Sequence, residues 1–229
     1  MKTKTKSWAQ RSDGILKTIP FLACLSGEEF SGLKKLIVGK KFRKGMTILS
    51  EEDTGSCMYI ILSGKVKAVH ASADGKEHIL AIHQRGDFFG EMALLDGKTA
   101  PAMISALEDT DVAILAKRDF EEYLLSNGRV LRQIIAMLSM RLRESWMMLK
   151  ILNLPEAEQR VRETLRLVSM QYGAKDARGS LITVKLTHQD IADYASVSRE
   201  TVTRILSRFI KEGVLEVLPD RNILLKTSF

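Results

Sequence analysis

The chain has 229 residues, of which 45% are hydrophobic, and this length and composition suit two ordinary domains with packed cores. No run of about 18 uncharged apolar residues occurs and the first residues lack the apolar run of a signal peptide, so we expect a cytoplasmic protein without a membrane partner. The formal charge of +7 favours a polyanionic partner, but residues 156–229 carry only 12 Lys and Arg against 10 Asp and Glu. Charge alone therefore does not identify a nucleic-acid binder. Cys24 and Cys57 are too few for a disulfide framework or an all-cysteine metal site.

Residues 14–36 mix apolar residues at helical spacing with Pro20 and Gly27, which predicts short helices broken by a turn. From about residue 37 to residue 115 the pattern changes to short apolar runs separated by turn residues. Many short strands without intervening helices predict a small β-barrel or sandwich. The clearest runs are 57–62, 65–71, 77–83, 102–107 and 111–116, with turn signals at Gly64, Asp74-Gly75, Gly86-Asp87 and Asp96-Gly97.

A long helix is predicted from Gly128 to Leu154, because this stretch contains no helix breaker and Pro155 follows it. Apolar residues at alternating spacings of four and three predict the seam of a dimeric coiled coil. The alternative is a helix packed against its own β-domain, since Ile134, Trp146, Met147 and Met148 supply a second apolar flank. The predicted dimerisation residues are Leu131, Ile135, Leu138, Leu142, Ser145, Leu149 and Leu152.

A second region after Pro155 has the pattern of a winged helix. We predict a helix near 156–172, a glycine-rich turn over 172–180 and a short strand over 181–186. Two helices follow, and then a hairpin whose turn lies at residues 219–222.

The two helices have the caps of a helix-turn-helix. Thr187 with Asp190 forms a capping-box-like start, Ser196-Val197 makes the turn, Ser198 is the second N-cap, and Gly213 ends the second helix. The predicted inner faces consist of Ile191, Ala192, Ala195, Val202, Ile205, Leu206 and Phe209.

With that stripe buried, polar side chains of the second helix face outward, where a recognition helix presents them to the major groove. Arginine can donate to guanine and glutamate can accept from cytosine. The alternative is that Glu200 and Arg204 form an ordinary exposed i,i+4 pair. Thr187 and His188 are expected to contact phosphate groups of the DNA backbone, because the first helix crosses it. The candidate DNA-binding residues are Arg199, Glu200, Thr203, Arg204, Ser198, Thr187, His188 and Arg208.

The segment SRETVTRIL (198–206) resembles the recognition helix of the cyclic-AMP receptor and fumarate–nitrate regulator (CRP/FNR) family. The resemblance covers most of the chain and implies an α+β fold. Its parts would be a cyclic-nucleotide-binding-like β-barrel (jelly roll) over 1–126, a dimerisation helix over 127–154 and a winged helix-turn-helix over 155–229. It implies a homodimeric transcription regulator in which Arg199, Glu200 and Arg204 read a palindrome of TGTGA-like half-sites in double-stranded DNA. RNA polymerase would be a further partner of an activator.

The segment GDFFGEMALLDG (86–97) resembles the family's phosphate-binding cassette, in which Gly90 would permit close approach and Glu91 would accept from a ribose hydroxyl. The relatives' Arg-Ser or Arg-Thr pair falls on Ala100 and Pro101, which carry neither a cation nor a hydroxyl. We therefore expect a small-molecule effector that is not cyclic AMP in the usual mode. Further candidate effector residues are Met92, Lys98, Thr99, Ser145 and Trp146.

The sequence is compatible with two further functions. A β-domain that senses nothing remains open, as does a cyclic-nucleotide-binding module that regulates a partner protein. No cysteine cluster precedes Cys24, whereas relatives that bind an iron–sulfur cluster have one there. Gly90 and Glu91 occupy the region in which the haem ligands of other relatives lie. His78 and His83 lie on one strand at an odd spacing, so they should point to opposite faces and not share a metal ion. We expect no metal, haem or iron–sulfur cluster, and no enzyme, because no nucleophile–base constellation occurs.

Overall fold

The computed structural model describes residues 13–72 and 77–229. The turn predicted at Asp74-Gly75 lies outside the described residues. The chain forms two compact units, one containing residues 13–70 with 80–141 and the other containing 71–72, 77–79 and 142–229. The long helix contributes to both units, so the domain limits expected at residues 126 and 154 stay a prediction.

The first unit begins with the short helices expected from the sequence, α1 (Pro20–Ala23) and α2 (Gly27–Leu36). Ser26 and Glu29 form a reciprocal capping box at the start of α2, which satisfies two backbone N–H groups there. These helices cover a core cluster that includes Leu16, Phe21, Leu33, Met58, Ile60, Leu115, Phe120, Val130 and Ile134.

Two antiparallel four-stranded sheets make up the β-domain, in the orders β1-β8-β3-β6 and β2-β7-β4-β5. Ile61 and Phe89 of one sheet pack with Leu49, Val66 and Ile104 of the other, so the sheets lie face to face. They are open sheets of jelly-roll type, and the predicted jelly-roll fold is confirmed. The strands are β1 (Val38–Phe42), β2 (Thr47–Leu49), β3 (Cys57–Ser63), β4 (Lys65–Ala71), β5 (Glu77–Gln84), β6 (Phe88–Phe89), β7 (Met103–Ala106) and β8 (Thr110–Ala116), with helix α3 (Glu91–Asp96) between β6 and β7.

The predicted long helix is present as α5 (Gly128–Leu152), after a short α4 (Lys117–Phe120) and a π-helical turn (Glu121–Leu125). Asn127 caps it, because its Oδ1 accepts from the backbone N–H groups of Arg129 and Val130 at 3.0 and 3.4 Å. Val130 and Ile134 are buried in the core of the first unit, and Leu138 packs partly against that core. Five predicted seam residues are exposed, namely the apolar Ile135, Leu142, Leu149 and Leu152 together with Ser145.

The second unit has the helices and the final hairpin that the sequence predicts. The sheet order is β11-β12-β10-β9, and every described pair in it is antiparallel. The elements are α6 (Ala157–Tyr172), β9 (Gly173–Asp176), β10 (Gly179–Ile182), α7 (His188–Ala195), α8 (Arg199–Lys211), β11 (Leu215–Val217) and β12 (Ile223–Lys226).

The strand predicted over 181–186 is present as β10, displaced to Gly179–Ile182, whereas the glycine-rich turn predicted over 172–180 is wrong, because most of that stretch forms the hairpin β9–β10. The sequence places Gly173 and Gly179 in that turn. A side chain at Gly173 would lie 2.1 Å from the Ser169 carbonyl oxygen, and one at Gly179 would lie 2.0 Å from that of Leu225. These glycines permit close approach of backbone within paired strands, which is a role that composition alone does not distinguish from a turn.

Candidate DNA-binding surface and effector site

The predicted caps of the helix-turn-helix are confirmed. The Asp190 backbone N–H donates to Thr187 Oγ1 at 3.1 Å, and the Thr187 N–H donates back to Asp190 Oδ2 at 2.8 Å. Ser198 Oγ accepts from the Thr201 N–H at 3.2 Å and so begins α8. Between the helices Ser196 lies in the left-handed region, with φ at 52°. The caps and this turn fix where each helix begins and ends.

The inner face of α8 fixes its rotation about its own axis. Its predicted apolar stripe is buried, as are the inner residues of α7. Phe209 meets the ring of Phe229 edge-to-face at 5.4 Å. Arg162 of α6 lies over both rings, at 4.3 Å from the centre of Phe209 and 5.0 Å from that of Phe229. A helix held in this way presents a defined set of side chains to solvent.

Four candidate DNA-binding residues, Arg199, Glu200, Thr203 and Arg204, are exposed on α8. His188, at the first position of α7, lies beside them, since its Nδ1 is 2.8 Å from Thr203 Oγ1. The pKa of Glu200 is lowered by its own backbone N–H, by the Ser198 hydroxyl and by Arg199, in that order. The surface therefore offers arginine donors and an ionised carboxylate acceptor, which are the groups that base edges in the major groove can bind.

Arg208 departs from this set. Its Nη2 donates to Glu158 Oε2 at the start of α6, so it turns toward that helix. A small cleft between the two helices is lined by Glu158, Arg208 and Arg204, together with Ala157 and Ile205. Sequence reasoning missed Glu158, because no local pattern links it to a residue 50 positions away.

The hairpin β11–β12 forms the predicted wing next to α8. The Val214 N–H donates to the Phe209 carbonyl at 3.1 Å, and the Lys226 N–H donates to that of Val214 at 3.0 Å. At the wing tip Arg221 has φ at 66°, and Asp220 accepts from the Asn222 backbone N–H at 3.1 Å. The helix-turn-helix and the wing thus form one unit.

In the β-domain, the cassette resembling a phosphate site has the expected backbone form. Gly90 has φ at 84° and is the N-cap of α3, and a side chain there would lie 2.8 Å from the Cys57 carbonyl oxygen. Gly55, with φ at 63°, lies under the same helix, since a side chain on it would meet Ala93 Cβ at 2.3 Å. Both positions therefore require glycine.

Glu91, the expected ribose acceptor, is buried and already has a partner that sequence reasoning missed. Arg141 Nη1 donates to Glu91 Oε1 at 2.6 Å, and Nη2 donates to the Phe88 carbonyl. The guanidinium also lies 4.3 Å over the Phe88 ring. Burial raises the pKa of Glu91, and Arg141 opposes that rise. Desolvation of its own ring lowers the pKa of His83 to about 3, with Arg141 as the second cause.

Ala100 and Pro101, the two positions that align with the relatives' phosphate-holding pair, provide no free donor. Ala100 is buried, and its backbone N–H donates to the Asp53 carbonyl at 2.8 Å. Pro101, like Lys98, Thr99 and Met92, is exposed, and proline has no N–H to donate. Ser145 and Trp146 are exposed on α5, the tryptophan by 58%. Of the candidate effector residues, Gly90 and Glu91 lie at the start of α3, where Glu91 is paired with Arg141.

Among residues 13–72 and 77–229, no group of three or more His, Cys, Asp or Glu side chains could hold a metal ion. In the same part of the chain, no helix has the length and apolar character that crossing a bilayer requires.

A winged helix with an exposed polar recognition face and a jelly roll with a nucleotide-type cassette define a DNA-binding transcription regulator. Family models agree: "Cyclic nucleotide-binding domain" matches residues 39–127, and "Crp-like helix-turn-helix domain" matches residues 159–227. The chain belongs to the CRP/FNR family of transcription regulators.

Individual relatives align along most of their length. The cyclic AMP receptor protein of Thermus thermophilus is 31% identical over 204 residues, which cover 89% of this chain and 91% of that protein. The anaerobic regulatory protein of Bacillus subtilis is 29% identical over 203 residues, covering 88% and 85%. The solved structure of FixK2 from Bradyrhizobium japonicum is 26% identical, with a TM-score of 0.72 over 82% of this chain and 92% of that chain.

Proposed function

We propose that this protein is a homodimeric regulator that reads a palindromic, TGTGA-like DNA site in the cytoplasm. The observation that carries the proposal is the exposed face of α8, where Arg199, Glu200 and Arg204 stand over a fully buried apolar stripe. Arginine bidentate to guanine and glutamate accepting from cytosine would read the half-site. Thr187, Ser198 and His188, next to Thr203, would contact phosphate and fix the register of the helix.

Dimerisation is supported by the exposed apolar residues of α5, which repeat at heptad spacing over Ile135, Leu142, Leu149 and Leu152. A two-fold axis along this helix would place two recognition helices on successive half-sites. If the dimer activates transcription, RNA polymerase is its further partner.

The effector of the β-domain is proposed to be a small molecule other than cyclic AMP bound in the usual mode. Ala100 and Pro101 supply no cation, hydroxyl or free backbone donor, and Arg141 is occupied by Glu91. Burying a phosphate without a counter-charge costs several kcal/mol. A relative named for cyclic AMP and one named for anaerobic regulation show nearly equal identity, so similarity does not select the effector.

The test is selection of a DNA site from a random pool by the intact protein, followed by affinity measurements on the selected site. Arg199→Ala and Arg204→Ala should each weaken binding by about 1–3 kcal/mol and relax the preference at one base position. Arg178→Ala serves as the control, because this exposed arginine lies outside α8, between β9 and β10, and is held by Asp176 of β9 and Glu216 of β11. Unchanged affinity in both α8 variants contradicts the proposed readout. Absence of any selected site would favour a module that regulates a partner protein.

A further inference from the structure

The ion pair between Glu158 and Arg208 joins the first turn of α6 to the outer side of α8. Their side chains are 34% and 50% exposed, so the pair lies at the surface. Arg162 also lies near Glu158, with its Nη2 3.5 Å from Oε1. An exposed pair of this kind contributes about 0–1 kcal/mol to folding. Its effect on stability is therefore small, and its position on the molecule is the informative feature.

Glu158 and Arg208 border the surface that faces DNA in the proposed function. They line one cleft together with Arg204, a proposed base-reading residue. A phosphate backbone that crosses α8 would thus pass close to this ion pair, which has no net charge. Arg208 has the reach and charge for a phosphate contact, but its guanidinium is engaged by that carboxylate.

We propose that Glu158 withholds Arg208 from the DNA backbone and so lowers the affinity for DNA of any sequence. Phosphate contacts carry no sequence information, and a regulator must compete against a large excess of non-specific sites. An acidic residue that removes one such contact from each subunit leaves discrimination to Arg199, Glu200 and Arg204. The inference rests on the proposed function, because it assumes that α8 faces DNA.

The experiment compares Glu158→Gln, Arg208→Gln and the double variant across a salt series, on a random-sequence duplex and on the selected site. Glu158→Gln should bind both duplexes more tightly, by about tenfold at low salt, with a steeper salt dependence of about 0.9 for each added phosphate contact. Arg208→Gln should change affinity less than about twofold and leave the salt dependence unaltered, since its side chain makes no DNA contact and Arg162 still neutralises Glu158. The double variant should return to wild-type behaviour.

Glu163→Gln is the matched control, because Glu163 lies on the same helix and pairs with Arg166 at 2.7 Å. Thermal unfolding of each variant confirms that the fold is retained. Weaker binding with a shallower salt dependence in Arg208→Gln would overturn the proposal, since that arginine would already bind phosphate. Binding tighter than wild type that persists in the double variant would overturn the proposal as well, as would unchanged affinity in Glu158→Gln. The random-duplex results do not depend on base readout, so they separate failure of this inference from failure of the proposed readout.

Discussion

Arg141 Nη1 lies 2.6 Å from Glu91 Oε1, and this pair joins the long helix α5 to the cassette helix α3. The Glu91 side chain is almost fully buried, and its charge is matched by one guanidinium. The pair is therefore neutral as a unit and does not attract an anion. An effector that uses Glu91 as a hydrogen-bond acceptor must share this carboxylate with Arg141 or displace Arg141 from it. Either event would change the contact between α5 and α3.

The first prediction concerns the stability of this pair. Arg141→Met should lower the free energy of unfolding by about 3–5 kcal/mol, because it leaves a buried carboxylate without its counter-charge. Adding Glu91→Gln to that variant should restore part of the loss. Urea unfolding measures both, with Arg132→Met, an exposed position on the same helix, as the control. Equal stability of Arg141→Met and wild type would contradict a buried, paired Glu91.

The second prediction concerns cyclic AMP. Isothermal titration calorimetry of the intact protein should show no sub-micromolar binding, because Ala100 uses its N–H on Asp53 and Pro101 has none. The cyclic AMP receptor protein of Thermus thermophilus, titrated under the same conditions, is the comparison. A sub-micromolar dissociation constant in this chain would mean that another cation reaches the phosphate.

The features that sequence predicts well in this chain are local ones. Thr187 with Asp190, Ser198 with Thr201, and the buried stripe of α8 are set by spacings of three and four residues, which a sequence displays directly. The partners of Glu91 and Arg208 each lie 50 residues away, so no periodicity indicates them. The hairpin β9–β10 is not predicted for a related reason. Gly173 and Gly179 allow close approach to the backbone of Ser169 and Leu225, and these contacts exist only once the chain is folded.

The third prediction concerns the proposed dimer. Leu149 is 57% exposed on α5, and Leu149→Glu should weaken self-association by about 3 kcal/mol or more, since two leucines each worth about 1.5–3 kcal/mol leave the interface. Sedimentation equilibrium measures the change. Met170→Glu is the control, because Met170 is 75% exposed on a different helix. If Leu149→Glu and Met170→Glu self-associate equally strongly, the Leu149 face of α5 does not form the dimer interface.

The fourth prediction concerns the turn between α7 and α8. Ser196 adopts a left-handed conformation, with φ at 52° and ψ at 54°, which costs an L-residue about 1–2 kcal/mol and costs glycine little. Ser196→Gly should therefore raise the free energy of unfolding by up to about 1 kcal/mol. The rest of the relieved strain is offset by the larger backbone entropy that glycine loses on folding. Ser207→Gly, within α8, should lower it by about 0.5 kcal/mol. Chemical unfolding of both variants checks the opposite signs, and destabilisation by Ser196→Gly would be inconsistent with this turn.

The last prediction concerns pH and His83. Burial lowers its pKa from 6.5 to about 3, and Arg141 contributes further. The unfolded chain therefore binds a proton below pH 6.5 that the folded protein does not, and the stability due to neutral His83 is lost as the pH falls from 6.5 toward 3. Between pH 7 and pH 5 this loss should be roughly 1–2 kcal/mol.

His83→Gln should remove that dependence, because an amide stays neutral throughout this range. Asp87 and Glu91 have pKa values raised by burial and oppose the effect, but wild type and variant share them. The difference between the two proteins in urea unfolding at pH 7 and pH 5 therefore isolates His83. His78→Gln, on the same strand, controls for the loss of an imidazole. If the free energy of unfolding of wild type and of His83→Gln changes equally with pH, His83 takes up a proton in the folded protein. Burial and Arg141 would then not lower its pKa as expected.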